Sequence, residues 1–111
     1  MIQCLNIKIE GNVFKTGYRY FLKQKAFLHH ISGYVYYKSD NSIGVLAQGK
    51  PETLDSFLHY CWRGNKDTTV EAVQFKNTPL ISTDTFEVID EDEIASISIK
   101  YTDENNIKTM L

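Results

Sequence analysis

No apolar run in this chain approaches the roughly 18 residues that a bilayer-spanning helix needs. The opening segment, MIQCLNIKIEG, lacks the charged-then-apolar order of a signal peptide, so no leader is expected there. A surplus of basic charge is missing too: 12 Lys and Arg stand against 14 Asp and Glu, for a net charge of −2. That balance, with a pI of about 5.9, excludes a broad basic surface for nucleic acid or anionic lipid, while leaving room for a local anion pocket. Cysteine is scarce. Cys4 and Cys61 have neither CxxC spacing nor a nearby histidine, which reads as two small buried hydrophobes, with a disulfide as the alternative. His29, His30 and His59 have no Asp, Glu or Cys at ligand spacing, so no metal centre is expected. Internal repeats and low-complexity segments are also absent. What these absences leave is a soluble cytoplasmic protein.

What is present is enough apolar sequence for one compact domain with a small core, 42% of 111 residues. Leu5, Ile7 and Ile9 alternate with Asn6, Lys8 and Glu10, the period of a half-buried strand, and Gly11 is expected to end it. A helix is expected from near Arg19 to His30, burying Tyr20, Phe21, Phe27 and Leu28 together with Ile31. ISGYVYY and IGVLAQG read as strands joined by the polar turn KSDNS, where Asp40 and Asn41 tolerate positive φ. Pro51 and Glu52 open a second helix, whose apolar stripe is Leu54, Phe57, Leu58, Cys61 and Trp62, and Gly64 stops it. TVEAVQF and DTFEVI are two further strands, separated by a segment that contains Pro79. The fold class expected is α+β, a ferredoxin-like βαββαβ sandwich with both helices on one face of an antiparallel sheet. Residues 1–89 form this domain. Residues 90–111 form a C-terminal extension, opened by the acidic DEDE, that reads as an extra edge strand, a partner-pairing strand or a flexible tail.

The chemistry, if any, belongs to the loop EGNVFKTGYRYF. Backbone N–H groups of a Gly-bracketed loop, followed by an arginine at a helix start, converge on a point where an anion can sit. A solvated arginine on an amphipathic helix is the plain alternative for Arg19. The Lys-Thr pair of this loop does not make a nucleotide-binding P-loop, because the glycine spacing is wrong. Tyr34, Tyr36 and Tyr37 suggest an RNA-binding sheet of the same element order, but SIGVLAQG lacks the aromatic-basic signature of such a strand.

In this setting the chain resembles the acylphosphatase family, small enzymes that hydrolyse the carboxyl-phosphate bond. The family signature Gly-x-Val-Gln-Gly-Val-x-Phe/Tyr-Arg reads here Gly11, Asn12, Val13, Phe14, Lys15, Thr16, Gly17, Tyr18, Arg19. SGYV, at Ser32 to Val35, is similar to the family's Gly-Trp-Val, and AQGKPETLDSFL to its Ala-Glu-Gly-Pro stretch and second helix. The likeness covers roughly residues 3–89. It implies a phosphate site made by Phe14, Lys15, Thr16, Gly17 and Tyr18 with the Arg19 guanidinium, acting on a small acyl phosphate or inorganic phosphate. It also implies chemistry by positioning and electrostatics alone, with no metal, no cofactor and no covalent intermediate. A protein partner would have the C-terminal extension to dock on.

Two departures fall on the site. Tyr37 stands where the family carries the asparagine that positions the attacking water, and the nearest asparagine, Asn41, lies roughly 13 Å further along an extended chain. A phenol cannot reproduce the paired donor and acceptor of a carboxamide. Phe14, Lys15 and Thr16 replace Gln, Gly and Val; if the glycine position needs positive φ, Lys15 costs on the order of 1 kcal/mol there. Three functions therefore compete: an acyl-phosphate hydrolase, a catalytically impaired relative serving as an anion-binding or protein-interaction module, and a nucleic-acid-binding sheet.

Overall fold

The computed structural model of the protein describes residues 1–94 together with Ile97. Its elements run β1 (Gln3–Asn12), α1 (Tyr18–Leu28), β2 (Ser32–Tyr37), β3 (Ile43–Gly49), α2 (Pro51–Arg63), β4 (Thr69–Thr78) and β5 (Phe86–Val88). They build one sheet in the order β4-β1-β3-β2-β5. All neighbours are antiparallel except β5, which runs parallel to β2 and departs from the wholly antiparallel sheet expected. The α+β sandwich itself is as expected.

Why the strands occupy these places follows from their side chains. β1 turns Leu5, Ile7 and Ile9 to the helices, and Cys4 to the opposite face. β3, almost wholly buried, is the central strand, while β4 alternates half-buried and exposed residues as an edge does. Gly11 does not end β1. The register against β4 slips between Glu10 and Gly11, and at φ 141° a Cβ on Gly11 would meet the Thr69 carbonyl oxygen at 2.2 Å. Gly11 therefore sits at a bulge that carries β1 on to Asn12 and aims the following loop.

Both helices pack on one face, with phases that differ from the expected ones. α1 starts at Tyr18, and its buried stripe is Tyr18, Leu22 and Ala26, with Phe21 at the margin. Tyr20 is 60% exposed, Phe27 80% and Leu28 59%, so three of the four expected core residues of this helix lie outside. At about 100° per residue Tyr20 and Phe27 fall on the face opposite Leu22. The helix also ends earlier, at Leu28, in a Schellman turn: the His30 N–H donates to the Phe27 carbonyl and the Ile31 N–H to the Ala26 carbonyl, with His30 itself left-handed at φ 56°. In α2, Leu54, Phe57 and Cys61 are buried and Leu58 packs beside them. Trp62, expected in the stripe, has rotated out and is 51% exposed. The two helices are joined at depth by the Tyr18 hydroxyl, which donates to the Cys61 carbonyl at 2.7 Å.

The opposite face of the sheet has its own cluster, in which Cys4, Tyr36 and Leu46 are covered by Ile81 and Ile94. Gln48 pins the segment before β5, accepting from the Ile81 N–H at 2.8 Å and donating to its carbonyl at 3.0 Å. Residues 91–94 and Ile97 are helical, so no edge strand begins at Ile94, while the rest of the extension lies outside the described residues. Cys4 and Cys61 sit on opposite faces of the sheet, both unpaired, which removes the disulfide alternative. Burial pushes both thiols up to about 12, leaving them neutral. At the β2–β3 turn Asn41 takes φ 67°, and Asp40 accepts from the Ser42 N–H and hydroxyl. No helix among the described residues is long and apolar enough to cross a membrane.

Candidate anion-binding site

The loop between β1 and α1 is shaped at three points. Lys15 lies in the left-handed region at φ 58°, the conformation that a glycine would take without strain. Thr16 turns its hydroxyl back to the Val13 carbonyl at 2.9 Å. Gly17 caps α1, left-handed at φ 77°, and its carbonyl accepts from the Phe21 N–H at 3.1 Å. The first N–H groups of a helix have no partner within it, so the start of α1 presents donors and the positive end of the helix dipole.

The left-handed Lys15 carries a measurable consequence. Relief of αL strain is worth about 1–2 kcal/mol, and glycine's larger unfolded entropy takes back about half of it. Lys15→Gly is therefore expected to stabilise the fold by about 0.5–1 kcal/mol, a rise of a few degrees in Tm. Thermal unfolding checks this; an unchanged or lower Tm would show that the Lys15 side chain repays its own strain.

Tyr37 ends β2 and comes to rest against this loop. Its hydroxyl accepts the Lys15 backbone N–H at 2.7 Å. Its ring packs on Phe14 with centroids 4.7 Å apart, and the Arg19 guanidinium lies 4.0 Å from the ring centroid. Arg19 is half-buried, and among the described residues no carboxylate pairs with it. Lys15 is likewise without an ion pair there, its ammonium 5.3 Å from the Phe14 ring centroid. Lys15, Phe14, Tyr37 and Arg19 thus form a run of contacts, cation on ring, ring on ring and cation on ring.

The structure brings Phe14, Lys15, Arg19 and Tyr37 together, with Thr16 and Gly17 in the connecting turn. Tyr18 is different. Its side chain is wholly buried and bonded to Cys61, and burial pushes its phenol far above the ordinary value, so only its backbone faces the loop. Asn41 remains in its turn and takes no part. One residue of the site escaped the sequence reading. Asn65, two positions beyond the end of α2, donates its Nδ2 to the Thr16 carbonyl at 2.9 Å. The only signal for it was a carboxamide directly after the glycine that stops the helix. Among the described residues no group of three or more His, Cys, Asp or Glu could hold a metal ion.

Comparison with known proteins agrees with this architecture. The acylphosphatase family model matches residues 5–88. An acylphosphatase from Archaeoglobus fulgidus is 36% identical over 84 residues, covering 76% of this chain and 94% of the relative. One from Thermus thermophilus is 38% identical over 66 residues, covering 60% of this chain and 75% of the relative. Among solved structures, Bacillus subtilis acylphosphatase superposes with a TM-score of 0.74 over 80% of this chain and 99% of its own, at 23% identity, a likeness of fold. The bulged first strand, the left-handed loop and the helix-start arginine are thus set in the frame of these proteins, and the chain belongs to the acylphosphatase family.

Proposed function

We propose that the loop Phe14–Tyr18 and Arg19 form a phosphate site for a small acyl phosphate or inorganic phosphate, and that Tyr37 holds it in a closed, catalytically slow state. One contact carries this reading. The Lys15 N–H that would donate to a phosphate oxygen already donates to the Tyr37 hydroxyl, at 2.7 Å. The guanidinium that would grip the same phosphate lies on the Tyr37 ring. A phosphate oxygen is a charged and stronger acceptor than a phenol, and Arg19, with no carboxylate partner among the described residues, can turn to it. Binding therefore displaces Tyr37. Hydrolysis to a carboxylate and inorganic phosphate also needs a water held in line, and at that position the chain has a phenol in place of a carboxamide. The reading needs no metal or cofactor. The net negative charge disfavours nucleic acid, and two unpaired, buried thiols support a reducing, cytoplasmic setting.

Titration with inorganic phosphate, followed by calorimetry and by the amide signals of residues 14–19, tests the binding half. Saturable binding in the native chain that is lost in Arg19→Ala is the expected result. If the native chain ignores phosphate at millimolar concentration, the loop is only a turn. A second reading, full hydrolase activity, rests on Lys15 keeping the left-handed loop. Acyl-phosphate turnover by the native chain equal to that of Tyr37→Asn would establish it, because Tyr37 would then have to leave the site in every cycle.

A further inference from the structure

We propose that Asn65 is a positioning residue for this phosphate site, acting through the peptide group between Thr16 and Gly17; the proposal rests on the phosphate-site reading above. A trans peptide is planar, so its C=O and N–H point in opposite directions. The Asn65 Nδ2 holds the Thr16 carbonyl at 2.9 Å. The Gly17 N–H of the same peptide is thereby turned away from Asn65. Strand order says what lies on that other side. Asn65 precedes β4, which flanks β1 on one side, whereas β2 and its terminal Tyr37 lie beyond β3 on the other. The loop is thus gripped from the β4 flank by Asn65, and on the β2 flank its Lys15 N–H meets Tyr37. On the proposed arrangement the Gly17 N–H points toward the flank that holds Tyr37 and Arg19.

The grip is itself anchored. Asn65 follows Gly64, left-handed at φ 66°, and its carbonyl accepts both the N–H and the hydroxyl of Thr68, at 3.2 and 2.9 Å. The amide cannot be reversed, because a carbonyl facing the Thr16 carbonyl would set two acceptors against each other. The Asn65 Oδ1 is sealed from solvent with no hydrogen-bond partner among the described residues. A side chain serving the fold alone would be improved by losing that buried, unsatisfied oxygen. Its Nδ2 bond is what the position supplies, and that bond serves the loop.

The experiment compares the native chain with Asn65→Ala and Asn65→Leu, using inorganic phosphate as probe and Arg19→Ala as the control for the site. Asn65→Leu keeps the approximate shape and removes the donor without adding a buried charge, so it decides the matter if Asn65→Ala does not fold. Both variants are expected to lose about five- to tenfold in phosphate affinity, the scale of one hydrogen bond, and to lose the phosphate-induced shift of the Gly17 amide signal, with little change in Tm. Native affinity and a native Gly17 response in both variants would overturn the proposal. So would a loss of affinity that merely follows a loss of Tm, since Asn65 would then only hold the fold. Should the native chain fail to bind phosphate, the phosphate-site reading falls, and this proposal with it. If the native chain binds, Arg19→Ala does not and the Asn65 variants bind as the native chain does, this proposal alone fails.

Discussion

Tyr37→Asn is expected to raise acyl-phosphate turnover about a hundredfold over the native chain, the scale on which one positioning donor acts in such sites. The substitution does two things at once. It removes the hydroxyl that occupies the Lys15 N–H and the ring that carries the Arg19 guanidinium. It also restores a carboxamide, with a donor and an acceptor on one planar group, at the end of β2. Tyr37→Phe separates the two. Without the hydroxyl the Lys15 N–H is open to phosphate, so affinity should improve about fivefold, the value of one net hydrogen bond, while turnover stays low. Steady-state hydrolysis of a simple acyl phosphate, with phosphate as a competitive inhibitor, measures both quantities on all three proteins. A gain in turnover in Tyr37→Phe as large as that in Tyr37→Asn would mean that Tyr37 obstructs without the missing amide mattering. No gain in either variant would move the fault to the loop itself, to Phe14, Lys15 and Thr16.

How much of this was legible in the sequence depends on the range of the interaction. Strand periodicity in Leu5, Ile7 and Ile9, the proline at the start of α2 and the glycine after it are local signals, and each element they mark is where it was expected. The face of α1 was not legible. Its aromatics and leucines are spread around the whole helix, so composition could not fix the phase. That phase is set by Tyr18, whose hydroxyl reaches the Cys61 carbonyl across the α1–α2 contact, 43 residues away in sequence. Gly11 reads as a strand end in the sequence because a bulge and a stop look alike in one strand; only its β4 partner shows the difference.

The site divides in the same way. Sequence marked Lys15 as standing at a glycine place and left open whether the loop would keep its shape; the backbone keeps the left-handed conformation there. The contacts that hold the loop were not legible. Lys15 and Tyr37 are 22 residues apart, and Thr16 and Asn65 are 49 apart. Neither contact leaves a mark in spacing or periodicity. Sequence could say that Tyr37 stands at the position of the family's asparagine. It could not say that the replacement reaches the loop and accepts one of its N–H donors, the contact on which the proposed closed state rests.

Under the proposed reading Arg19 is where the closed state and an open one diverge, and its substitution separates them. In the closed state the guanidinium rests on the Tyr37 ring at 4.0 Å, a cation–π contact at a half-buried position that stabilises by about 1 kcal/mol. Arg19→Ala in the native chain should therefore cost the fold only that much, read as a small loss of Tm. In the Tyr37→Asn background the same change should lower acyl-phosphate turnover by about a thousandfold, the loss expected when the main cationic donor to a transferring phosphoryl group is removed. Arg19→Lys refines the test. A lysine keeps the charge but is a point donor, whereas the guanidinium fork meets two phosphate oxygens at once. If the fork matters, Arg19→Lys in the Tyr37→Asn background falls near the alanine variant in turnover while binding phosphate better than it does. If charge alone suffices, the lysine variant keeps most of the turnover. The small cost in one background and the large one in the other would show that the same guanidinium now rests on the plug and, once the plug is gone, works on phosphate. Turnover in the Tyr37→Asn background that Arg19→Ala leaves within about a few-fold would mean that Arg19 does no work on phosphate there, and that the cationic work of the loop falls to Lys15.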